Sequence, residues 1–180
     1  MHYKDKWMWF IIPWCILLSS FAINLLIGLL TGGNTAIYTG GLASIYIFTL
    51  IAGVITLTQT FPFALGISMR RTDFFWGSAL MVALTSGFTA LLLFILSIIE
   101  HDLTHGWGVQ LYFFHLPYLN DGSLIEQLVI YYLVLVQMYF LGFSFSSIYR
   151  RFGRNGLIAF ATCLSLLFTL TAFVITRHNW

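Results

Sequence analysis

Charged residues are scarce in this sequence of 180 residues: eight are Lys or Arg and six are Asp or Glu, which is 8% of the chain. Soluble domains carry about 25% charged residues. So few charges cannot cover a water-facing surface, which excludes an ordinary soluble domain. Cysteine is also rare, and both copies, Cys15 and Cys163, lie inside apolar stretches. Neither a disulfide nor a cysteine metal site is therefore expected.

What the sequence has instead is five apolar blocks, each about as long as the hydrocarbon layer of a bilayer is thick. In lipid a segment must satisfy its own backbone hydrogen bonds, so we predict helices. The strands of a membrane barrel would be shorter and would alternate in polarity. The predicted fold is a single all-α domain over residues 1–180, a polytopic transmembrane helical bundle. The predicted helices span residues 7–30, 41–61, 77–99, 124–148 and 156–176.

The connections between these blocks differ in charge, and basic residues prefer the cytoplasmic side of short loops. The loop 100–123 contains acidic residues but no Lys or Arg. We therefore predict that this loop is extracellular and that the N-terminus is cytoplasmic. That orientation brings all but one of the basic residues inside, namely Lys4, Lys6, Arg70, Arg71, Arg150, Arg151 and Arg154.

The outer loop also contains histidines. His101 and His105 are four residues apart, next to Glu100 and Asp102, and His115 follows. The pattern lacks the Glu that follows the first His in a His-Glu-x-x-His zinc site, so no metal site is predicted. We interpret the loop as solvated and partly amphipathic. Its side chains predicted at the membrane surface are Tyr112, Phe113, Phe114 and Leu116.

Catalytic patterns are also missing. The sequence has no G-x-x-x-x-G-K-[ST] phosphate loop and no Ser/His, Asp/Asp or zinc-ligand pair within the apolar blocks. We therefore do not expect the chain itself to be an enzyme. Asn24 and Gln137 are the clearest polar residues deep in the blocks, and we interpret both as interhelical hydrogen-bonding groups rather than as substrate contacts.

The connection 62–76 is the most informative segment. Pro62 disfavours helix for the residue before it and can bend or end the second helix. Gly66 can relax the following turn, and Arg70 with Arg71 forms a compact cationic tip. Two interpretations remain open: a short amphipathic element on the cytoplasmic face, or an ordinary basic inner loop.

The remainder of this connection predicts the start of the third helix. Thr72 is the predicted N-cap, and Asp73 would lie in the first turn, where its charge suits the helix dipole. The aromatic residues Phe74, Phe75 and Trp76 would then enter the membrane interface.

The run from Phe63 to Gly77 resembles the F-x-L-x-x-G-x-x-R-R-x-F-x-x-G pattern of bacterial ABC-2-type exporter permeases, with Phe74 and Gly77 slightly displaced from the strict spacing. In that family, the cytoplasmic loop between the second and third helices contains the coupling helix that docks on the ATPase subunit. The second inner loop, 149–156, is similar to the loop before the family's fifth helix. The family usually has six membrane helices, so either the sixth is missing from this sequence or the chain is a shorter variant.

The resemblance implies the membrane-spanning permease subunit of an ATP-binding cassette exporter, multi-pass in the bacterial inner (cytoplasmic) membrane. Its substrate would be hydrophobic or amphipathic and is not identified by the sequence. The partners implied are a cytoplasmic ATPase subunit, which would bind ATP and Mg, a second permease subunit in a homo- or heterodimer, and membrane lipid. No cofactor in this chain and no nucleic acid is expected.

The residues that the resemblance assigns to ATPase coupling are Arg70, Arg71, Thr72, Asp73, Phe74, Phe75 and Trp76. The alternative is a non-transporting accessory, assembly or sensor membrane protein, which would need no ATPase.

Overall fold

A computed structural model describes residues 4–31, 37–104, 106–114 and 123–177. Almost all of this part of the chain is helical, as predicted. The helices are α1 (Lys4–Thr31), α2 (Ala43–Ile55), α3 (Phe61–Gly66), α4 (Arg71–Ile98) and α5 (Leu124–Arg177). One π-helical turn, Thr56–Thr60, joins α2 to α3 without a break, and another, Ile99–Leu103, extends α4. Two short strands, β1 (Ile37–Tyr38) and β2 (Leu111–Tyr112), pair in parallel.

Four helical stretches in the described residues are long and apolar enough to cross a membrane. Their apolar side chains point outward as well as inward: Leu30, for example, is 80% exposed and Ile125 is 75% exposed. Such side chains require lipid or another protein around them. The predicted helical membrane protein is confirmed at this level. The four stretches are Ile11–Leu30, Ala43–Gly66, Arg71–Asp102 and Leu124–Val174.

The boundaries of several helices differ from the predicted ones. The second helix continues through the π-helical turn to Gly66, and α4 begins at Arg71 rather than at 77. Only residues 67–70 lie between these helices. The predicted coupling segment 62–76 is therefore two helix ends and a tight turn, because hydrogen bonding and packing extend both helices beyond their most apolar residues.

The long helix α5 contains both the predicted fourth and fifth helices. Gly153 interrupts it with φ 67° and ψ −162°, a conformation that glycine adopts without the steric cost of a Cβ. Before this break, α5 packs on α2 and α4. After it, most side chains are exposed, although the rings of Phe145 and Phe160 meet across the break with centroids 5.6 Å apart.

Helices α2 and α5 approach each other closely at two glycines. A Cβ added to Gly53 would overlap the carbonyl oxygen of Tyr139, and one added to Gly142 would overlap the carbonyl oxygen of Leu50. Small residues let membrane helices pack backbone to backbone, where van der Waals contact replaces the hydrophobic effect. This contact joins α2 and α5 into one unit.

The two polar residues that the sequence predicts as interhelical partners have other surroundings. The Asn24 amide donates to the carbonyl of Ser20 in its own helix, at 2.8 Å. Gln137 is exposed on the surface of α5. The prediction is wrong for Asn24, because a side-chain amide in a helix can reach the carbonyl four residues back. The polar and charged residues that are buried in the described part of the chain are instead Glu100, Gln127, Ser86, Ser97 and Ser146.

Glu100 is fully buried, and its carboxylate holds the loop that follows α4. Its oxygens accept hydrogen bonds from the backbone N–H groups of Phe113, at 2.9 Å, and of Phe114, at 3.0 Å. The Trp107 indole donates to the same carboxylate at 3.0 Å. All three groups are donors, which suits a carboxylate because an ionised carboxylate only accepts. Trp107 has a φ of 57°, and its indole bond helps to hold this strained conformation.

This arrangement brings the end of the loop inside the bundle. Phe113 and Phe114 are 0% and 1% exposed and belong to the main core cluster with residues of α1, α2, α4 and α5. The Tyr131 hydroxyl of α5 donates to the Phe114 carbonyl at 2.7 Å. The prediction that these two phenylalanines lie on the membrane surface is wrong, because Glu100 satisfies their backbone amides and so permits burial. Leu116 lies outside the described residues.

We expect Glu100→Gln to destabilise the protein strongly. Glutamine keeps the size of the side chain but turns an amide NH₂ toward groups that are themselves donors, and each buried donor left unpaired costs about 1–3 kcal/mol. The measurement is thermal unfolding in detergent, monitored through the near-UV signal of the aromatic core. Asp102→Asn is the matched control, since its carboxylate is 61% exposed and a surface change is worth about 0.5 kcal/mol or less. Equal stability of the two variants would contradict this role for Glu100.

Candidate functional site

The candidate site lies at one end of the bundle, which we call the arginine end. It comprises the α3 to α4 connection, residues 61–76, and the stretch of α5 just before Gly153, residues 140–152. The sequence predicts two separate basic connections here. Packing of α2 and α4 on α5 and the contacts described below bring the two connections together.

The turn between α3 and α4 ends the first of these helices with a Schellman arrangement. The Met69 N–H donates to the Ala64 carbonyl at 3.1 Å, and the Ser68 N–H donates to the Leu65 carbonyl at 3.0 Å. This motif needs a left-handed residue just after the helix, a role that glycine usually fills. Here that residue is Ser68, with φ 61°. Gly66, which we expected to relax the turn, is still helical.

The N-cap of α4 is Arg70 and not Thr72. Arg70 is extended, with φ −69° and ψ 145°, and makes no side-chain cap hydrogen bond. Its carbonyl accepts from the Phe74 N–H at 3.1 Å. The chain becomes helical at Arg71, so Thr72 lies within the first turn and its hydroxyl contacts the Asp73 carboxylate at 3.5 Å. Asp73 does lie in the first turn of α4, as predicted.

The cationic tip is exposed and has no charged partner in the described part of the chain. Arg70 and Arg71 are exposed, and Thr72 and Asp73 next to them are exposed as well. The only ion pair found among the described residues joins His101 to Asp102, at 4.0 Å, in the loop after α4. Two guanidinium groups are therefore free to meet an anionic surface.

The three aromatic residues of the site differ in their surroundings. Phe74 is 8% exposed, and its ring packs edge-on against Phe61 at 5.1 Å. Phe75 is 43% exposed, and its ring lies 6.3 Å from that of Phe140 in α5. Trp76 is 71% exposed and faces away from the bundle. Two of the three thus connect the turn to the other helices.

Arg150 is a further residue of this end, and sequence reasoning did not assign it to the site. In the π-helical turn the Phe61 N–H bonds to the Thr56 carbonyl. The next bond in that register would run from Pro62 to the Leu57 carbonyl, but proline has no N–H. The Arg150 guanidinium donates to this carbonyl instead, at 3.2 Å.

The same guanidinium lies over the Phe61 ring, 5.0 Å from its centroid. A cation–π contact of this kind is worth about 0.5–1 kcal/mol at an exposed site. Phe61 is therefore in contact with Arg150 of α5 on one side and with Phe74 of α4 on the other. Pro62, just after the π-helical turn, was the one signal of this contact in the sequence, because a proline in a helix leaves a carbonyl that needs another donor.

The outer histidines give no second candidate site within the part of the loop that the structure describes. Within the described residues, no group of three His, Cys, Asp or Glu side chains could hold a metal ion. The His101 ring contacts the neighbouring carboxylate of Asp102, with Nε2 4.0 Å from Oδ1. His105 and His115 lie outside the described residues, so the predicted absence of a metal site stays a prediction.

We expect Ser68→Gly to stabilise the protein. A non-glycine residue in the left-handed region costs roughly 1–2 kcal/mol, and the greater chain entropy of glycine in the unfolded state offsets about half of the gain. The net effect should be about 0.5–1 kcal/mol, measured by unfolding in a detergent titration. The control is Ser147→Gly, the same change at an exposed position inside α5, which should destabilise. If both changes destabilise, the left-handed turn at Ser68 is not the stable conformation.

Known proteins give no independent indication of what this end of the bundle does. No protein-family model matches the chain. No curated protein and no solved structure matches it either. Only the residues and contacts of the chain itself therefore indicate a function.

Proposed function

We propose that the chain is the membrane-spanning permease subunit of an ATP-binding cassette exporter and that the arginine end docks on a separate ATPase. The observation that carries the proposal is an exposed pair of arginines, Arg70 at the end of the 67–70 turn and Arg71 at the start of α4. Ring contacts of the first turn of α4 join this end to α3 and α5. An ordinary inner loop needs the charge but not these contacts. The proposal agrees with the family resemblance of residues 63–77.

The proposed topology has five membrane spans with the N-terminus in the cytoplasm. As one straight helix, the 54 residues of α5 would extend about 80 Å, far beyond a hydrocarbon layer of roughly 30 Å. We therefore divide α5 into two spans at Gly153. Arg150, Arg151 and Arg154 then lie in a cytoplasmic turn, on the same side of the membrane as Arg70 and Arg71, as the preference of basic residues for the inside requires.

Force from the ATPase would pass through the aromatic contacts. A push on Arg70 and Arg71 would act on the start of α4 and, through Phe74, on the Phe61 ring. From there, the Arg150 contacts lead into α5, which is joined to α2 at Gly53 and Gly142. ATP biases such a movement only if it binds one state more tightly than the other. The substrate would be hydrophobic or amphipathic.

A second permease subunit would cover part of the apolar surface. The stretch after Gly153 is exposed over most of its length and includes large side chains such as Leu166 and Phe168, which are 62% and 68% exposed. Membrane helices of this kind face lipid or pack on another subunit. The location would be the bacterial inner membrane.

The other candidate is a non-transporting accessory, assembly or sensor protein. The exposed positive turn fits that function equally well if its partner is an anionic lipid headgroup rather than an ATPase. The two functions differ in whether an ATPase co-purifies with the chain. They also differ in whether the geometry of the arginines matters in addition to their charge.

The topology predicts opposite accessibility for two exposed residues, Thr72 and Gln110. In a background lacking Cys15 and Cys163, Gln110→Cys should react with an impermeant thiol reagent in intact cells. Thr72→Cys should react only after permeabilisation. The two positions control for each other, and labelling of Thr72→Cys from outside would reverse the orientation.

The docking hypothesis predicts that Arg70→Ala with Arg71→Ala removes the ATPase without affecting insertion. Losing a charged contact at a protein interface costs about 2–5 kcal/mol of binding free energy. Since about 1.4 kcal/mol corresponds to a tenfold change in the dissociation constant, association should weaken about thirtyfold or more. Lysine at both positions should give a partial loss, because an ammonium cannot make the paired hydrogen bonds of a guanidinium. The measurement is recovery of ATPase activity with the tagged chain from a detergent extract.

The matched control is Arg151→Ala with Arg154→Ala, a second exposed pair that is expected at the same membrane face. It removes the same charge but should leave the ATPase bound. Arg150 is unsuitable as a control because it supports the fold through the Leu57 carbonyl. If the alanine pair at 70 and 71 retains the ATPase, residues 62–76 are not the coupling element and the accessory function is favoured.

A further inference from the structure

A half-open cavity of about 280 Å³ is bordered by four helices of the bundle. Pro13 and Trp14 of α1 form one wall and Met81 of α4 forms part of another. Residues of α2 and α5, including Ile45 and Leu135, complete the lining. Apolar cavities of roughly 150 Å³ accept a benzene-sized molecule. This cavity therefore has room for about ten to twelve non-hydrogen atoms.

No residue that lines the cavity is charged. Burying a charged ligand without a partner would be very costly, so the lining selects against carboxylates and amines in their ionised forms. The lining does contain hydroxyl groups: Thr49 of α2, Thr56 of the π-helical turn that follows it, Thr85, Ser86 and Thr89 of α4, and Tyr139 of α5. The cavity therefore suits a neutral molecule with a polar group.

Three of these hydroxyls already donate hydrogen bonds to backbone carbonyls. Thr49 donates to the Ile45 carbonyl at 2.8 Å, and Thr56 donates to the Ala52 carbonyl at 2.8 Å. Thr85 donates to the carbonyl of Met81, at 2.9 Å. The oxygens of all three can still accept a hydrogen bond, because a hydroxyl has two lone pairs.

Ser86 and Thr89 are different, because neither hydroxyl has a hydrogen-bond partner in the described part of the chain. Ser86 is only 5% exposed, and Thr89 is half-buried one turn further along α4. Neither oxygen is among the fully buried side-chain oxygens without a partner, which in the described residues are those of Thr39 and Ser146, so both oxygens are accessible from the cavity. These two hydroxyls lie on the cavity wall, where a ligand can provide a partner.

We propose that this cavity binds an uncharged alkyl alcohol, a single chain of about ten carbons that ends in a hydroxyl. The ligand hydroxyl would accept a hydrogen bond from Ser86 or Thr89. It would donate one to the oxygen of a threonine whose own hydroxyl already donates to a backbone carbonyl. The alkyl chain would fill the part of the cavity between α1 and α4. This site does not depend on an ATPase and would exist in a permease or in an accessory protein.

The test is photolabelling of the purified chain with a decanol that carries a diazirine, followed by mass spectrometry of the labelled peptides. Labelling should fall on the cavity-lining stretches of α2, α4 or α5. Unlabelled 1-decanol should compete, whereas decane should not. Equal competition by decane would overturn the proposal, because the cavity would then be filled by any hydrocarbon, including a lipid tail.

The variant that tests the hydroxyls is Ser86→Ala with Thr89→Val, which keeps the volume nearly constant. A neutral hydrogen bond corresponds to a change of roughly twofold to tenfold in affinity, so the concentration of 1-decanol needed for half-competition should rise about twofold to tenfold. Ser97→Ala is the matched control, since Ser97 is buried in α4 but does not line the cavity. An unchanged competition curve in the double variant would also overturn the proposal. The comparison of decanol with decane on the unmodified chain decides the matter if the variant does not fold.

Discussion

A backbone N–H or C=O that is buried away from water must find a partner within the protein, and this constraint organises both ends of the bundle. Inside a regular helix the next turn provides the partner. Where the helix is interrupted, a side chain has to do so. Glu100 accepts from the amides of Phe113 and Phe114, and Arg150 donates to the Leu57 carbonyl. Two of the few charged residues of the chain are thus used where the backbone is irregular.

The consequences at the two ends are different. The Glu100 carboxylate draws a connecting loop into the core, so Phe113 and Phe114 become part of the packing between helices. Arg150 instead holds a π-helical turn at the end of α2, where Pro62 leaves a carbonyl without a donor. Glu100 closes one end of the bundle. Arg150 connects the end of α2, and with it the exposed turn at 67–70, to α5, against which α2 packs.

Between these ends, glycine and hydroxyl residues lie among the apolar side chains where the helices meet. Gly53 and Gly142 allow α2 and α5 to touch through their backbones, which favours movement of the pair as one body. The threonine hydroxyls bond to carbonyls of their own helices, so they add polarity without a charge. A permease needs both properties: a stiff element that transmits force and an interior that admits an uncharged or amphipathic molecule. An accessory protein needs only the first of them, to hold its shape.

The sequence by itself determined that the chain is helical and made for a membrane, because hydrophobicity over about 20 residues depends on no distant contact. It also indicated that Asp73 belongs to the start of a helix, since that preference is local. Only the tertiary structure decided which residue caps α4, where Arg70 replaced the predicted Thr72, and which aromatic side chains are buried. It also decided the parts played by Glu100, Arg150 and the two glycines. The parts played by Glu100, Arg150 and the two glycines depend on contacts between residues far apart in the chain, such as Leu57 with Arg150. Even where Pro62 signals a carbonyl that needs another donor, no local pattern records which distant side chain provides it.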